Sequence, residues 1–171
     1  MKILLTAEQI QTRVRELASS IERDYGSTPI TIVGVLTGSL IFVADLVRLL
    51  NMPIRIGFVR ASSYRGEATT PGTLEVQPDL LPDVKGKDVL LIDDILDTGR
   101  TLEHLVGHLT SLDVNSLKVG VLLWKKARTL VPIEPDYVGF EIPDKFVVGY
   151  GLDFNDEFRN LPYVGELSER T

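Results

Sequence analysis

There is no cysteine among the 171 residues. That removes disulfide staples, thiol nucleophiles and thiolate-bound zinc or iron–sulfur centres at once. Cations are also in short supply: 18 Lys and Arg face 24 Asp and Glu, a net charge of −6. Binding to nucleic acid or to an anionic membrane draws on clustered cations, so this balance argues against both as partners. No uncharged apolar run approaches the roughly 18 residues of a membrane-spanning helix. The opening Met1–Leu5 run is too short for a secretory signal, and Glu8 and Gln9 follow it closely. A soluble, cytoplasmic protein is the expectation. Two common phosphate-binding signatures, G-x-x-x-x-G-K-S/T and G-x-G-x-x-G, are missing too.

What is present reads as one domain over residues 1–171. With 44% of its residues hydrophobic, a chain of this length can bury roughly 70% of its unfolded surface without a staple. Thr6 followed by Gln9 has the pattern of a capping box, and Ile10, Val14, Leu17, Ile21 and Tyr25 then recur at helical spacing. Gly26 and Pro29 end that helix. Ile30–Leu36 is a nearly continuous apolar, β-branched run, the mark of a strand buried on both faces. Thr37-Gly38-Ser39 breaks it, and Leu40–Leu50 resumes a helical pattern. Strands are expected at Ile54–Phe58, Val89–Ile92, Val119–Trp124, Tyr137–Ile142 and Phe146–Tyr150, and a further helix through Leu102, Leu105, Val106, Leu109 and Leu112. Strands and helices alternating in this way imply an α/β fold, an open, mostly parallel sheet flanked by helices. Two stretches stand apart. Ser62–Pro78 is polar and long for an internal loop, which favours a lid over a passive hairpin. Residues from about 127 to 171 carry four prolines among short strands and read as a small C-terminal hood.

The chemistry concentrates in Leu90-Leu91-Ile92-Asp93-Asp94-Ile95-Leu96-Asp97-Thr98-Gly99-Arg100-Thr101-Leu102. An apolar strand runs into two adjacent carboxylates, a third follows, and a Thr-Gly-Arg-Thr turn opens a helix. Ligands of open α/β sheets sit beyond the carboxyl ends of the strands. There Thr98–Thr101 would offer backbone N–H groups, hydroxyls and a helix N-terminus to an anion. Asp93 and Asp94 would repel a bare phosphate, so sugar hydroxyls, a metal, or both are their expected partners. The plain alternative, an acidic strand end with Asp97 or Thr98 as N-cap, accounts for one carboxylate but hardly for three. His104 and His108 stand four apart on the same helix, but no third ligand accompanies them, and they read as a solvated face.

This segment resembles the signature of the type I phosphoribosyltransferases. Lys125, Pro135–Phe140 and Ile142–Asp153, together with Ser63-Tyr64 in the lid, narrow the resemblance to the hypoxanthine-guanine branch. The resemblance spans essentially the whole chain. It implies a purine salvage transferase that joins a 6-oxopurine to phosphoribosyl pyrophosphate, giving a nucleoside monophosphate and pyrophosphate. It also implies Mg²⁺ as cofactor, with Asp94 and Asp153 toward the metal, and a homodimer or homotetramer. By the same resemblance, Asp93 and Asp94 meet the ribose hydroxyls, and Asp97 faces the purine N7 for proton transfer. Thr98, Gly99, Arg100 and Thr101 cradle the 5′-phosphate. Lys125 meets the 6-oxygen, Phe146 stacks on the base, and the Val147 backbone reads its edge. Thr37, Gly38 and Arg159 bind pyrophosphate, and Ser63 and Tyr64 belong to the closing loop. One departure is plain: relatives commonly place Lys or Arg before the glycine of the pyrophosphate turn, where this chain has Thr37. The turn can still offer its backbone N–H, often through a non-proline cis peptide. Two rivals stay open: an enzyme preferring xanthine, and a nucleotide-sensing RNA-binding regulator on the same fold, which the charge of −6 disfavours.

Overall fold

In the computed structural model, residues 1–63, 74–77 and 79–168 are described. Apolar side chains that alternate along consecutive strands build a core on each face of one sheet. Ile32, Leu90, Ile92 and Leu122 point to one face, and Val33, Val89, Leu91 and Val121 to the other. The six-stranded sheet has the order β4-β3-β2-β5-β6-β7. Its members are β2 (Ile30–Val35), β3 (Ile54–Ser63), β4 (Leu74–Gln77), β5 (Asp88–Leu96), β6 (Ser116–Trp124) and β7 (Tyr137–Glu141). All neighbours are parallel except β3 and β4. Strand β2 is buried along its whole length, as its unbroken apolar run demands.

Helix α1 (Ala7–Tyr25) starts at the capping box read from the sequence: the Gln9 N–H donates to Thr6 Oγ1 at 3.2 Å, and the Thr6 N–H to Gln9 Oε1 at 2.8 Å. It ends at Gly26, whose φ of +59° suits glycine. With α2 (Leu40–Val47) it covers one face of the sheet, while α3 (Arg100–Thr110) covers the other. Arg13 of α1 reaches the edge strand β7 and donates to the carbonyls of Gly139 and Val138, both at 2.7 Å. That occupies a ladder edge otherwise open to another chain.

The second sheet has three strands in the order β1-β9-β8, formed by Lys2–Leu5, Val164–Glu166 and Val147–Val148. The hood therefore differs from the stretch expected at about 127–171. Strand β7 belongs to the large sheet, because its β-branched and aromatic residues pair in parallel with β6, and the N-terminal strand joins the hood instead. The polar 62–78 segment also has more structure at its base than a loop: β3 runs on to Ser63 and pairs antiparallel with β4. Among the described residues no helix is long and apolar enough to cross a membrane.

The order of the large sheet decides where a ligand can sit. The chain leaves β2 for β3 on one side, then returns to place β5 on the other. A crevice opens at such a switch point, beyond the carboxyl ends of the two strands. The segments after β2, β5, β6 and β7 all emerge along this edge, because those strands are parallel.

Candidate active site

Strand β5 is longer than its apolar run, so Asp93 and Asp94 lie on the strand rather than after it. Each carboxylate turns back on the local backbone. Asp93 Oδ1 accepts the Asp94 N–H at 2.9 Å, and Asp94 Oδ1 accepts the Ile95 N–H at 2.8 Å. Asp93 is 9% exposed. Burial, and then the neighbouring Asp94 charge, push its carboxyl well above the ordinary carboxylate range. Burial raises Asp94 as well, against the opposing pull of its hydrogen bonds and of Arg159.

Above Asp94 passes the turn after β2, with a cis peptide bond between Leu36 and Thr37. A Cβ on Gly38 would overlap Asp94 Oδ2, and a Cβ on Gly151 would overlap the Gly38 carbonyl oxygen. Two glycines thus let three backbone segments close on one carboxylate. Arg159 completes this corner. It donates to the Gly151 carbonyl at 2.8 Å and pairs with Asp153 at 3.0 Å and Asp156 at 3.2 Å. Thr37, Gly38, Asp94, Asp153 and Arg159 therefore lie in one corner of the crevice.

The turn after β5 opens α3 differently from the plain capping alternative. Gly99, at φ +87°, is the N-cap, and no side chain caps the helix, so neither Asp97 nor Thr98 is used up there. A cavity of about 250 Å³ lies between this turn and the one after β2, lined by Leu36, Gly38, Asp93, Asp94, Asp97, Thr98, Gly99 and Thr101. Carboxylates and the Thr98–Thr101 turn at the start of α3 share its lining, a setting for a sugar phosphate. Arg100 is exposed at the start of α3.

Lys125 follows β6 and is only 6% exposed. Its Nζ lies 3.6 Å from both Asp97 Oδ2 and Asp144 Oδ1. Sequence reasoning did not single out Asp144, nor Arg128, whose Nε is 2.7 Å from Asp97 Oδ1 and whose Nη1 is 3.3 Å from Asp144 Oδ1. Both are charged residues in turns, where sequence alone does not separate a site from a solvated surface. The Arg128 N–H is not aligned with Asp97 Oδ1, and that buried oxygen has no directed hydrogen bond.

Phe146 is 50% exposed, which an apolar core residue would not be. It meets Phe154 edge to face, with 5.7 Å between ring centroids. The two rings border a larger cavity with Met1, Phe158 and Leu167, separate in its lining from the one beside Asp97. Val147 is buried in β8 and pairs with Glu166. Ser63 closes β3, while Tyr64 and most of the 62–78 stretch lie outside the described residues.

Comparison with known proteins agrees with this geometry. Residues 2–155 match the family model of the phosphoribosyl transferase domain. The chain is 44% identical to the hypoxanthine-guanine phosphoribosyltransferase of Staphylococcus aureus strain Mu50, over 97% of this chain and 93% of the relative. The Staphylococcus epidermidis RP62A enzyme of that name is also 44% identical, over 96% and 92%. A solved hypoxanthine-guanine phosphoribosyltransferase of Bacillus anthracis superposes with a TM-score of 0.92 at 39% identity, over 98% of this chain and 99% of that one. These likenesses extend over the switch-point crevice and the hood alike, and the chain belongs to the hypoxanthine-guanine phosphoribosyltransferase family.

Proposed function

We propose that the chain transfers the phosphoribosyl group of phosphoribosyl pyrophosphate to N9 of a 6-oxopurine, hypoxanthine or guanine. The C1–oxygen bond to pyrophosphate breaks, a C1–N9 bond forms, and one purine proton is released. The observation that carries this reading is the buried Lys125 ammonium lying 3.6 Å from Asp97, which lines the switch-point cavity together with Thr98, Gly99 and Thr101. Lys125 has donors and no acceptor, so it suits an oxo group at C6. Asp97, with a buried oxygen free of directed hydrogen bonds, is suited to take a proton from the purine side. Thr98, Gly99, Arg100 and Thr101 would hold the 5′-phosphate, and Thr37, Gly38 and Arg159 the pyrophosphate. Phe146 is exposed enough to stack on the base.

A divalent cation fits the residues present. Burial raises both Asp93 and Asp94, and the Asp94 charge raises Asp93 further, a cost that a nearby cation would offset. Among the described residues no three acidic or histidine side chains cluster as a self-contained metal cage. Mg²⁺ is commonly held by one or two carboxylates plus substrate oxygens and water, and Asp94 and Asp153 would serve in that way. Bound there, Mg²⁺ would neutralise charge on the departing pyrophosphate. A turnover assay with hypoxanthine, guanine, xanthine and adenine, each with phosphoribosyl pyrophosphate and Mg²⁺, tests the reading. Product formation from hypoxanthine or guanine is expected, and turnover with none of the 6-oxopurines would remove it.

A further inference from the structure

Two cations approach Asp97, and the transfer chemistry proposed above uses only Lys125. The other is Arg128, at the end of the short 3-10 turn Lys126–Arg128. Together Asp97, Arg128, Asp144 and Lys125 form a closed ring of alternating charge, with contacts of 2.7, 3.3, 3.6 and 3.6 Å. The backbone makes this ring one mechanical unit. The Lys125 N–H donates to the Leu96 carbonyl at 2.9 Å, and the Leu130 N–H to the Thr98 carbonyl at 3.0 Å. Between them the Thr129 hydroxyl lies 3.1 Å from the Asp97 carbonyl oxygen and accepts the Trp124 indole N–H at 2.9 Å. The turn that carries Arg128 is thus stitched to the turn that carries Asp97, residue against residue.

The two cations are not equivalent. Lys125 is a compact charge on a flexible stem, shared evenly between two carboxylates, and its proposed task draws it toward the purine oxygen. Arg128 holds Asp97 Oδ1 by charge and close contact at 2.7 Å rather than by a directed hydrogen bond, and its planar guanidinium is braced by Asp144. Once Lys125 engages the base, Arg128 is the cation left beside the Asp97 carboxylate among the described residues, and Asp144 holds Arg128 in place from its far side. We propose that Arg128 is a positioning residue: it fixes the rotamer of the Asp97 carboxylate so that the purine proton meets an oxygen already in place. This inference rests on the assignment of Asp97 to proton transfer. It concerns a residue that need not touch either substrate.

The test is a cycle of Arg128→Gln, Asp97→Asn and the double variant, each followed by single-turnover rate, calorimetric affinity for phosphoribosyl pyrophosphate with Mg²⁺, and melting temperature. Misplacing a reacting group by about 1 Å can cost on the order of 100-fold, so Arg128→Gln should lose about 10- to 100-fold in rate. Affinity for phosphoribosyl pyrophosphate and melting should stay near wild type, since a 44% exposed Arg128 side chain adds little to stability. In the Asp97→Asn background the second substitution should cost nothing further, because residues that act as one unit are not additive. Guanidinium ion added to Arg128→Ala should restore part of the rate, and sodium ion at equal ionic strength should not. Additive losses, an unchanged Arg128→Gln rate, or an equal loss of affinity would each overturn the assignment of Arg128. A slow Asp97→Asn beside a fast Arg128→Gln would remove Arg128 alone. A fast Asp97→Asn would remove the proton-transfer reading, and the positioning role with it.

Discussion

The carboxylates on β5 and in the turn after it differ in what each can be asked to do. Asp97→Asn keeps size and shape, and since Gly99 is the N-cap, α3 loses no cap by the change. The substitution removes the charge and the proton-accepting oxygen, contributions typically worth about 100- to 10,000-fold in rate. Single-turnover rates should fall within that range, while calorimetry finds phosphoribosyl pyrophosphate affinity nearly unchanged. Asp93 behaves in the opposite way in folding. Its carboxyl is raised by burial and by Asp94, so the folded chain retains a proton that the unfolded chain releases near the ordinary carboxylate value. Its contribution to stability is therefore complete below about pH 4 and is lost as pH rises through the folded value. Asp93→Asn keeps the acceptor for the Asp94 N–H and removes that penalty. Melting temperature at neutral pH should rise, while activity falls. A lower melting temperature at pH 7 would contradict the burial argument. Lys125 sets a third expectation: adenine presents an amino group to a buried donor, a mismatch of about 1–3 kcal/mol, and should turn over at least about fivefold more slowly than hypoxanthine.

Among the elements, the turn from β5 into α3 is the one the site depends on most. Gly99 sits at φ +87°, and a Cβ there would collide with Val131 Cγ2. Gly99→Ala must relieve both problems by moving the start of α3, and with it the Thr98–Thr101 turn beside the cavity. The expected result is a higher KM for phosphoribosyl pyrophosphate with the KM for the base little changed; equal changes in both would mean that the turn does not hold the phosphate. This turn was legible in the sequence because Asp-Thr-Gly-Arg-Thr follows a strand and precedes a periodic apolar pattern. Helix α1 was legible for the same kind of reason, a capping box followed by five apolar residues at helical spacing. The hood was not. Its strands β1, β8 and β9 are two to four residues long, too short for alternation to register, and they pair between the two ends of the chain. Strand β4 escaped notice because it is a four-residue edge paired only with β3. Arg128 and Asp144 escaped for another reason: their importance comes from proximity to Asp97, and 31 and 47 residues of sequence separate them from it.

For the molecule as a whole, the question is how a chain of net charge −6 holds a substrate carrying several phosphate charges. The fold concentrates the difficulty, since the switch point brings Asp93, Asp94, Asp97 and Asp153 to one edge of the sheet. In the proposed function, the turns after β2 and β5 would answer part of it, and Arg159 another part, although its guanidinium is already shared with Asp153 and Asp156. The remainder is the role proposed for Mg²⁺. Two measurements on the unmodified protein separate these contributions. Turnover should vanish in EDTA and return when Mg²⁺ is restored in excess. Melting followed with phosphoribosyl pyrophosphate at about 100 times its dissociation constant should rise by about 5–10 °C, because ligand linkage at that concentration gives about 2.7 kcal/mol. Without a divalent cation the same concentration should give little or no shift. Phosphoribosyl pyrophosphate with EDTA is the decisive arm: a shift as large as with Mg²⁺ would mean that backbone N–H groups and Arg159 suffice, and that Asp94 and Asp153 need no metal between them and the substrate.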